Sequence, residues 1–369
     1  MRKNIYFYIG TTAEFIKLAP IIKEFRKRKI KFKIITSGQN KIGFKYLRSY
    51  SGEIKVYKAF SEKSHKSSFF LFGIWAIKTL TIGIVKLRKE FKDKNKNNSY
   101  FIIHGDTVSS LIGSIIAKLH GLKIVHIESG LRSFNFGEPF PEEISRFIII
   151  HLADILFAPT DWALKNLNGL KGEKISTKQN TLIESCKWAL KSKGNKMLIK
   201  KLGKYYILIM HRQEHVYFNK DWTRKTLDLV IKNANPNLKC LFIMLSLTSR
   251  FLESERLNAD EELSKRIIML PHQPYPDFMK LMNNAEFIAT DGCTNQEEAY
   301  YMGLPLLSLR NLTERIEGLR KNTIISKGSK KTIKQFLKNY KKYRTKPVSY
   351  KNRPSKIIVD YLMTNQEKS

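Results

Sequence analysis

Ser99-Tyr-Phe-Ile-Ile-His-Gly-Asp-Thr107, with Lys123-Ile-Val-His-Ile-Glu-Ser-Gly-Leu-Arg132 downstream of it, is the stretch that decides the fold. Each half opens on a short run of aromatic and β-branched residues, Ser99–Ile103 and Lys123–Ile127, which predicts a buried strand. Between them Val108–Gly121 is apolar at helical spacing and closes on a glycine, as a helix does. Strand, helix and strand in that order predict a parallel βαβ unit. Ligands of open α/β sheets bind outside the carboxyl ends of the strands, so Asp106 and Glu128 are delivered to one crevice. Glu142 follows in Pro139-Phe-Pro-Glu-Glu143, at the start of another helix. Carboxylates converging in this way suit proton transfer to and from carbon or oxygen. The structural alternative for Asp106, an N-cap of the helix behind it, stays open at this level.

The same alternation runs outward in both directions. Ile5–Ile9, Phe32–Thr36 and Asp154–Ala158 read as strands; Ala13–Arg26, a stretch near 69–90 and Pro141–Ile150 read as helices. After Thr160 the sequence turns polar and lysine-rich, with a run Lys187–Lys204 that predicts a domain boundary within 165–200. A second alternation restarts at Tyr205–Met210, which ends on His211-Arg-Gln-Glu-His215. It continues through Leu238–Leu245, Ile267–Leu270 and Phe287–Ala289 to Thr290-Asp-Gly-Cys-Thr294, then a helix opening at Gln296-Glu-Glu298 and the strand Leu304–Leu309. The expected class is α/β, with two doubly wound Rossmann-like domains facing one another across a cleft. The expected domains are residues 1–175, with the carboxylates Asp106, Glu128 and Glu142, and 176–345. Residues 346–369 form a basic C-terminal segment, read as a helix packing back.

Composition narrows the function. A chain of 369 residues with 42% hydrophobic content is long enough for two cores. Met1-Arg-Lys-Asn4 runs straight into the first strand, so no signal peptide is expected. Cys186, Cys240 and Cys293 make neither a disulfide framework nor a zinc knuckle, which points to a reducing, cytoplasmic setting. His104, His126, His151 and His211 fall on separate elements, a poor pattern for a metal. The formal charge of +35, from 67 basic and 32 acidic residues, attracts polyanions. No helix-turn-helix, zinc-finger or RNP-like pattern accompanies it, so specific nucleic-acid binding is not expected. An anionic membrane surface fits at least as well, as does a merely solvated basic face. Phe69–Val85 carries Lys78 as its one charged residue. It is too short for a confident span and reads as a buried or peripherally docked helix on the inner face of the cell membrane. Lys327–Lys356 has no acidic residue and reads as a solvated helical tail.

Gly10-Thr-Thr12 joins the first strand to its helix, and a small turn there lets backbone N–H groups face an anion. Thr290–Thr294 repeats the arrangement. Two such helix N-termini suit a diphosphate, with Lys17 and Arg315 as mobile cations and Glu298 as acceptor for a ribose diol or a partner of its own helix dipole.

Taken in order, Gly10-Thr-Thr-Ala-Glu14, His104-Gly-Asp-Thr107, His126-Ile-Glu-Ser-Gly-Leu-Arg132, Pro141-Glu-Glu143 with Arg146, His211-Arg-Gln-Glu214, Gln296-Glu-Glu298 and Thr313-Glu-Arg315 resemble the non-hydrolysing UDP-N-acetylglucosamine 2-epimerases. That family has the GT-B fold and is related in architecture to nucleotide-sugar glycosyltransferases. The resemblance implies that a base removes the sugar C2 proton as UDP leaves C1. The resulting glycal is reprotonated from the opposite face and UDP adds back, with no NAD, metal or other cofactor. It implies Asp106, Glu128 and Glu142 as acid/base groups and His211 beside the anomeric oxygen and diphosphate. Lys17, Gln39, Phe278, Glu298 and Arg315 match nucleotide-holding positions, Phe278 by stacking on uracil; Thr12, Gly292, Cys293 and Thr294 occupy the diphosphate turns. Three departures stand out. Thr12 and Ala13 replace an arginine and a proline; Asp291-Gly-Cys-Thr294 replaces Asp-Ser-Gly-Gly, with Asn295 for an aliphatic residue; and Ile243-Met-Leu-Ser-Leu247 stands where Pro-Val-His-x-Asn is expected. The expected activity is conversion of UDP-GlcNAc to UDP-ManNAc for surface polysaccharide. The alternative is a membrane-associated glycosyltransferase with a lipid-linked acceptor. A homodimer stays open for either.

Overall fold

The computed structural model describes residues 3–60, 69–92, 94, 99–193, 199, 201–212, 215, 219–245, 266–350 and 352–364, without the side chains of 69 and 70. Gln213, Glu214, Ser246 and Leu247 of the motifs above lie outside the described residues. The chain divides into two units, residues 1–185 with 350–369, and residues 186–349.

In the first unit the strands are β1 (Asn4–Ile9), β2 (Lys33–Thr36), β3 (Val56–Ala59), β4 (Ser99–His104), β5 (Lys123–Ile127), β6 (Ile155–Ala158) and β7 (Glu173–Ser176). They lie side by side in the order β3-β2-β1-β4-β5-β6-β7, every pairing parallel. The helices are α1 (Thr12–Lys27), α2 (Arg48–Ser51), α3 (Phe69–Phe91), α4 (Val108–Leu119), α5 (Glu142–Leu152), α6 (Asp161–Lys165) and the start of α7 (Leu182–Lys191), which runs across the boundary after Ser185. β1 and β4 are buried almost throughout because a parallel strand is covered on both faces. The second unit repeats the plan with β8 (Tyr205–Ile209), β9 (Lys239–Met244), β10 (Ile267–Pro271), β11 (Ile288–Thr290), β12 (Leu306–Ser308) and β13 (Thr323–Ile325), in the order β10-β9-β8-β11-β12-β13. Its helices are α8 (Lys220–Asn233), α9 (Tyr275–Asn284), α10 (Cys293–Met302) and α11 (Lys330–Asn339). Both sheets reverse strand order between their first and fourth strands, the switch point at which doubly wound folds bind ligands.

The apolar run Phe69–Val85 becomes the body of α3, and it is two-faced. Trp75, Leu87 and Phe91 join Phe60, Ile112 and Ile116 in the core, whereas Leu71, Ile74, Ile77 and Val85 are exposed. Among the described residues no helix is long and apolar enough to cross a membrane. The solvated tail expected over Lys327–Lys356 needs correction. In α11 Ile333, Phe336 and Leu337 recur at helical spacing and are buried in the second unit's core, so only the lysine face is solvated.

The last helix, α12 (Pro354–Thr364), belongs to the first unit and packs against α1. Glu184 fastens it: the carboxylate accepts from Tyr350 Oη at 2.6 Å, Ser355 N at 2.8 Å and Ser355 Oγ at 2.8 Å. Glu184→Ala strands all three donors. Chemical denaturation is expected to show a loss of roughly 2–4 kcal/mol, the scale for several bonds to one charged acceptor. A loss under about 0.5 kcal/mol, as for an ordinary surface change, would mean that the anchor is idle.

Candidate active site

The register of β4 and β5 sets His104 beside Ile127, so the chain leaves both strands level. Gly105, at φ +65°, turns under the sheet edge with its N–H on the Ile127 carbonyl at 2.9 Å. Glu128 follows β5 with φ +67°, a left-handed conformation that costs a non-glycine residue about 1–3 kcal/mol and clusters at functional sites. Its carboxylate is nearly closed off from solvent. Lys17 Nζ lies 2.9 Å from Oε1 and 2.8 Å from Oε2, Asn180 Nδ2 donates to Oε2, and His104 Nε2 stands 4.0 Å away. Behind it His126 is braced between the Gly105 carbonyl at 2.8 Å and Ser129 Oγ at 2.9 Å. Burial pushes the His126 imidazole down to about 4, so it is neutral at pH 7 and acts as a strut.

Asp106 does not cap the next helix. Thr107 does, its Oγ1 accepting from Ser110 N at 3.0 Å. Asp106 accepts from the Arg146 guanidinium, whose other arm donates to Glu143. The fully buried Glu143 carboxylate also takes Arg132 Nε, Ser133 N at 3.1 Å and Phe134 N at 3.3 Å. Burial alone would raise its pKa; Arg132, the Ser133 amide and Arg146 outweigh that and hold it below the usual carboxylate range. The pair in Pro141-Glu-Glu143 is thus divided: Glu143 positions two arginines, and Glu142 sits half-buried at the first turn of α5.

The Gly10 turn is built for close approach, since a Cβ on Gly10 would overlap Ser109. Thr11 caps α1, and Glu14 lies beneath the turn, accepting from Gly10 N at 2.8 Å and Thr107 Oγ1 at 2.7 Å. Burial raises the Glu14 carboxyl to about 7. Thr12 Oγ1 accepts from Gly43 N at 3.0 Å and Gln39 Oε1 from Ser109 N at 2.8 Å, so both shape the loops around the turn. The structure therefore groups Thr12, Lys17, Gln39, Asp106, Glu128 and Glu142 at the carboxyl ends of the first sheet.

In the second unit Asp291, fully buried, organises the equivalent edge. It accepts from His211 N at 3.1 and 3.0 Å and from Arg212 N at 2.9 Å; His211 Nδ1 lies 2.9 Å and His215 Nδ1 3.0 Å from its oxygens. Burial opposes its charge, but the two histidines overcome that and hold Asp291 well below the ordinary range. Gly292 then leads into α10, whose first residues are Cys293, Thr294 and Asn295. Arg212 and Arg310 converge there, each donating to Cys293 Sγ, at 2.8 and 2.6 Å. Arg315 is ion-paired with the buried Glu297, and Glu298 accepts from Asn295 Nδ2 at 3.0 Å. Phe278 is half-buried on α9.

The sequence profile of UDP-N-acetylglucosamine 2-epimerases matches residues 25–357. The chain belongs to that family. It is 31% identical over 344 residues to a UDP-N-acetylglucosamine 2-epimerase of Methanococcus maripaludis, covering 88% of each chain. The crystal structure of the Methanocaldococcus jannaschii UDP-GlcNAc 2-epimerase, in complex with UDP-GlcNAc and UDP, superposes with a TM-score of 0.83 at 25% identity, over 98% of this chain and 99% of that one. The Rickettsia bellii UDP-N-acetylglucosamine 2-epimerase structure gives 0.77 at 26%, over 100% and 98%. Two parallel doubly wound sheets make the fold GT-B, as expected.

Several residues of these clusters escaped the sequence reading. Glu14, Arg146 and Arg212 stood in quoted motifs without a role, and Asn180 and Arg310 gave no signal, because a donor's value depends on what it faces after folding. The departure at Gly292 has a packing counterpart. A Cβ there would lie 2.5 Å from Asn295 Oδ1 and 3.0 Å from His211 Cε1, so a serine at this position requires the Asn295 side chain to shift. Gly292→Ser is expected to cost about 1–2 kcal/mol, the overpacking scale, and adding Asn295→Ala is expected to recover most of it. Thermal unfolding of the single and double variants measures this coupling; strictly additive losses would exclude it.

Proposed function

We propose that the chain interconverts UDP-GlcNAc and UDP-ManNAc by eliminating UDP across C1 and C2 and adding it back. Of the two reactions that the sequence leaves open, family membership favours epimerisation over glycosyl transfer. The observation that carries the reading is Glu128, held in a left-handed backbone at a strand end by Lys17 and Asn180, with Asp106 just beyond the end of the neighbouring strand β4. The reaction needs proton transfer at C2 on both faces of the sugar, hence two groups in different environments. Glu128 and Asp106 have such environments: one is enclosed by an ammonium and an amide, the other is a quarter exposed and bound to a guanidinium. Glu142, half-buried at the start of α5, is the third candidate. Lys17 in this reading serves through Glu128. His211 and Arg315 act on the diphosphate, Glu298 on the ribose and Phe278 on the base. With UDP-GlcNAc in deuterated water, deuterium is expected at C2, and Glu128→Gln is expected to slow its entry at least about a hundredfold, the scale for acid/base groups. Label entering the folded variant at the parental rate removes Glu128 from the chemistry.

The reading includes a peripheral place on an anionic membrane. Leu71, Ile74, Ile77 and Val85 are exposed on α3 beside Lys78, Lys86, Arg88 and Lys89. Such a face combines apolar insertion with attraction to acidic headgroups. The protein is expected to sediment with vesicles containing phosphatidylglycerol and to be partly released by salt. Protein that stays in the supernatant at every salt concentration would sink this part of the reading.

A further inference from the structure

A second, basic cleft opens in the first unit at the end of the sheet opposite to Asp106 and Glu128. It is walled by the amino-terminal ends of β1 and β2, the carboxyl end of α1 and the segment before β3, and it encloses about 800 Å³. That volume falls in the usual range for small-molecule sites, roughly 300–1,000 Å³. The length of β1 sets it about 20 Å from the Gly10 turn, at the ordinary rise of a strand.

Its cations fall into two classes. Arg28 is neutralised by Glu24 at 2.9 Å and Asp360 at 2.7 Å, and Lys33 by Glu90 at 2.8 Å. Lys29, Lys31 and Lys55 have no carboxylate partner among the described residues. Glu53 is the acidic residue among those lining the cleft, and it is already paired with Arg48 at 3.2 Å. Arg26 is fixed at the rim: its guanidinium donates to the Glu53 carbonyl and fills the space that a Cβ on Gly52 would need. It also lies 5.9 Å from the centre of the Phe32 ring, which forms part of an apolar floor. Gathering like charges in a concave surface raises the local potential and concentrates multivalent anions. A monocarboxylate neutralises one such charge. A chain of phosphates offers each of them an oxygen.

We propose that this cleft is a second anion site, which binds a ligand carrying two or more linked phosphates. Calorimetry of the full chain with sodium tripolyphosphate tests it against two variants of equal charge change. Lys29→Gln/Lys31→Gln/Lys55→Gln alters the cleft; Lys331→Gln/Lys334→Gln/Lys338→Gln alters the exposed face of α11. The cleft variant is expected to bind about tenfold more weakly, the scale for three exposed charge contacts, and the α11 variant within about twofold of the parent. Both should keep the parental rate of deuterium entry into UDP-GlcNAc, since neither touches the carboxylate site. A parallel sedimentation with phosphatidylcholine vesicles carrying a polyprenyl diphosphate separates the sources. The same ranking there and not with tripolyphosphate assigns a lipid headgroup; the reverse assigns a soluble ligand. Equal weakening in both variants would show general attraction to a basic protein. That result, or no binding of either probe by the parent, overturns the proposal.

Discussion

The buried ion pair between Lys17 and Glu128 is the constraint around which the first unit is arranged. Both side chains are almost fully enclosed, at 6% and 4% exposure, and removing two charges from water costs several kcal/mol each. Glu128 adds the cost of its left-handed backbone. Such an arrangement survives only where the surroundings over-determine it, and here three chain segments do so. α1 brings Lys17; β5 is locked into register on both sides; and the segment before α7 brings Asn180, with Thr181 Oγ1 donating to the Lys17 carbonyl at 2.6 Å. Packing alone would favour an apolar pair of similar volume. Retention of the charges therefore fits a chemical task better than a structural one.

The same logic separates Asp106 from Glu143. Both bind Arg146, but Glu143 has its remaining lone pairs filled by Arg132 and two backbone amides, and it has nothing left to offer a ligand. Asp106 keeps an open side. One guanidinium thus connects a fully satisfied carboxylate, which fixes its position, to a partly solvated one, which that position serves. In the second unit Asp291 holds the backbone of His211 and Arg212 in the same manner as Glu143 holds the loop at Ser133 and Phe134. Each unit has a buried carboxylate whose hydrogen bonds shape the chain beside the candidate site residues.

Interior strands were legible in the sequence because parallel strands covered on both faces must be apolar throughout: Tyr6–Ile9, Tyr100–Ile103 and Tyr205–Ile209 leave no other reading. The strands that escaped, β3, β7 and β13, are edge strands. Val56–Ala59 and Glu173–Ser176 are largely exposed, and Thr323–Ile325 is short, so neither alternation nor an apolar run marks them. The placement of Asp106 and Glu128 could be read because each follows closely on the end of an apolar parallel strand. The roles of Asn180 and Arg212 could not, since their partners Glu128 and Cys293 lie 52 and 81 residues away in the sequence; Arg310 is nearer to Cys293 and Glu314 but stood in no motif. The Gly292–Asn295 exchange stands out in the sequence as a departure from the family pattern. In the structure the two residues are close neighbours, accompanied by two arginines at the start of α10 that sequence spacing does not reveal.

Among the described residues the surface is more basic than the composition suggests. Ten carboxylates are buried there, Glu14, Glu24, Glu128, Glu143, Glu184, Asp291, Glu297, Glu298, Glu314 and Glu317, against the buried cations Lys17, Arg146, Arg310 and Arg315. The interior of the described residues therefore holds an excess of acidic side chains, which leaves the basic excess to solvent. A nucleotide sugar approaching such a surface is drawn in from beyond contact distance. The same field acts on every other polyanion within a Debye length, about 8 Å at physiological ionic strength. Net charge thus supplies attraction without selectivity. Discrimination has to come from places where cations are fixed in number and direction, as Arg212 and Arg310 are at Cys293 and as Arg26 is against Gly52.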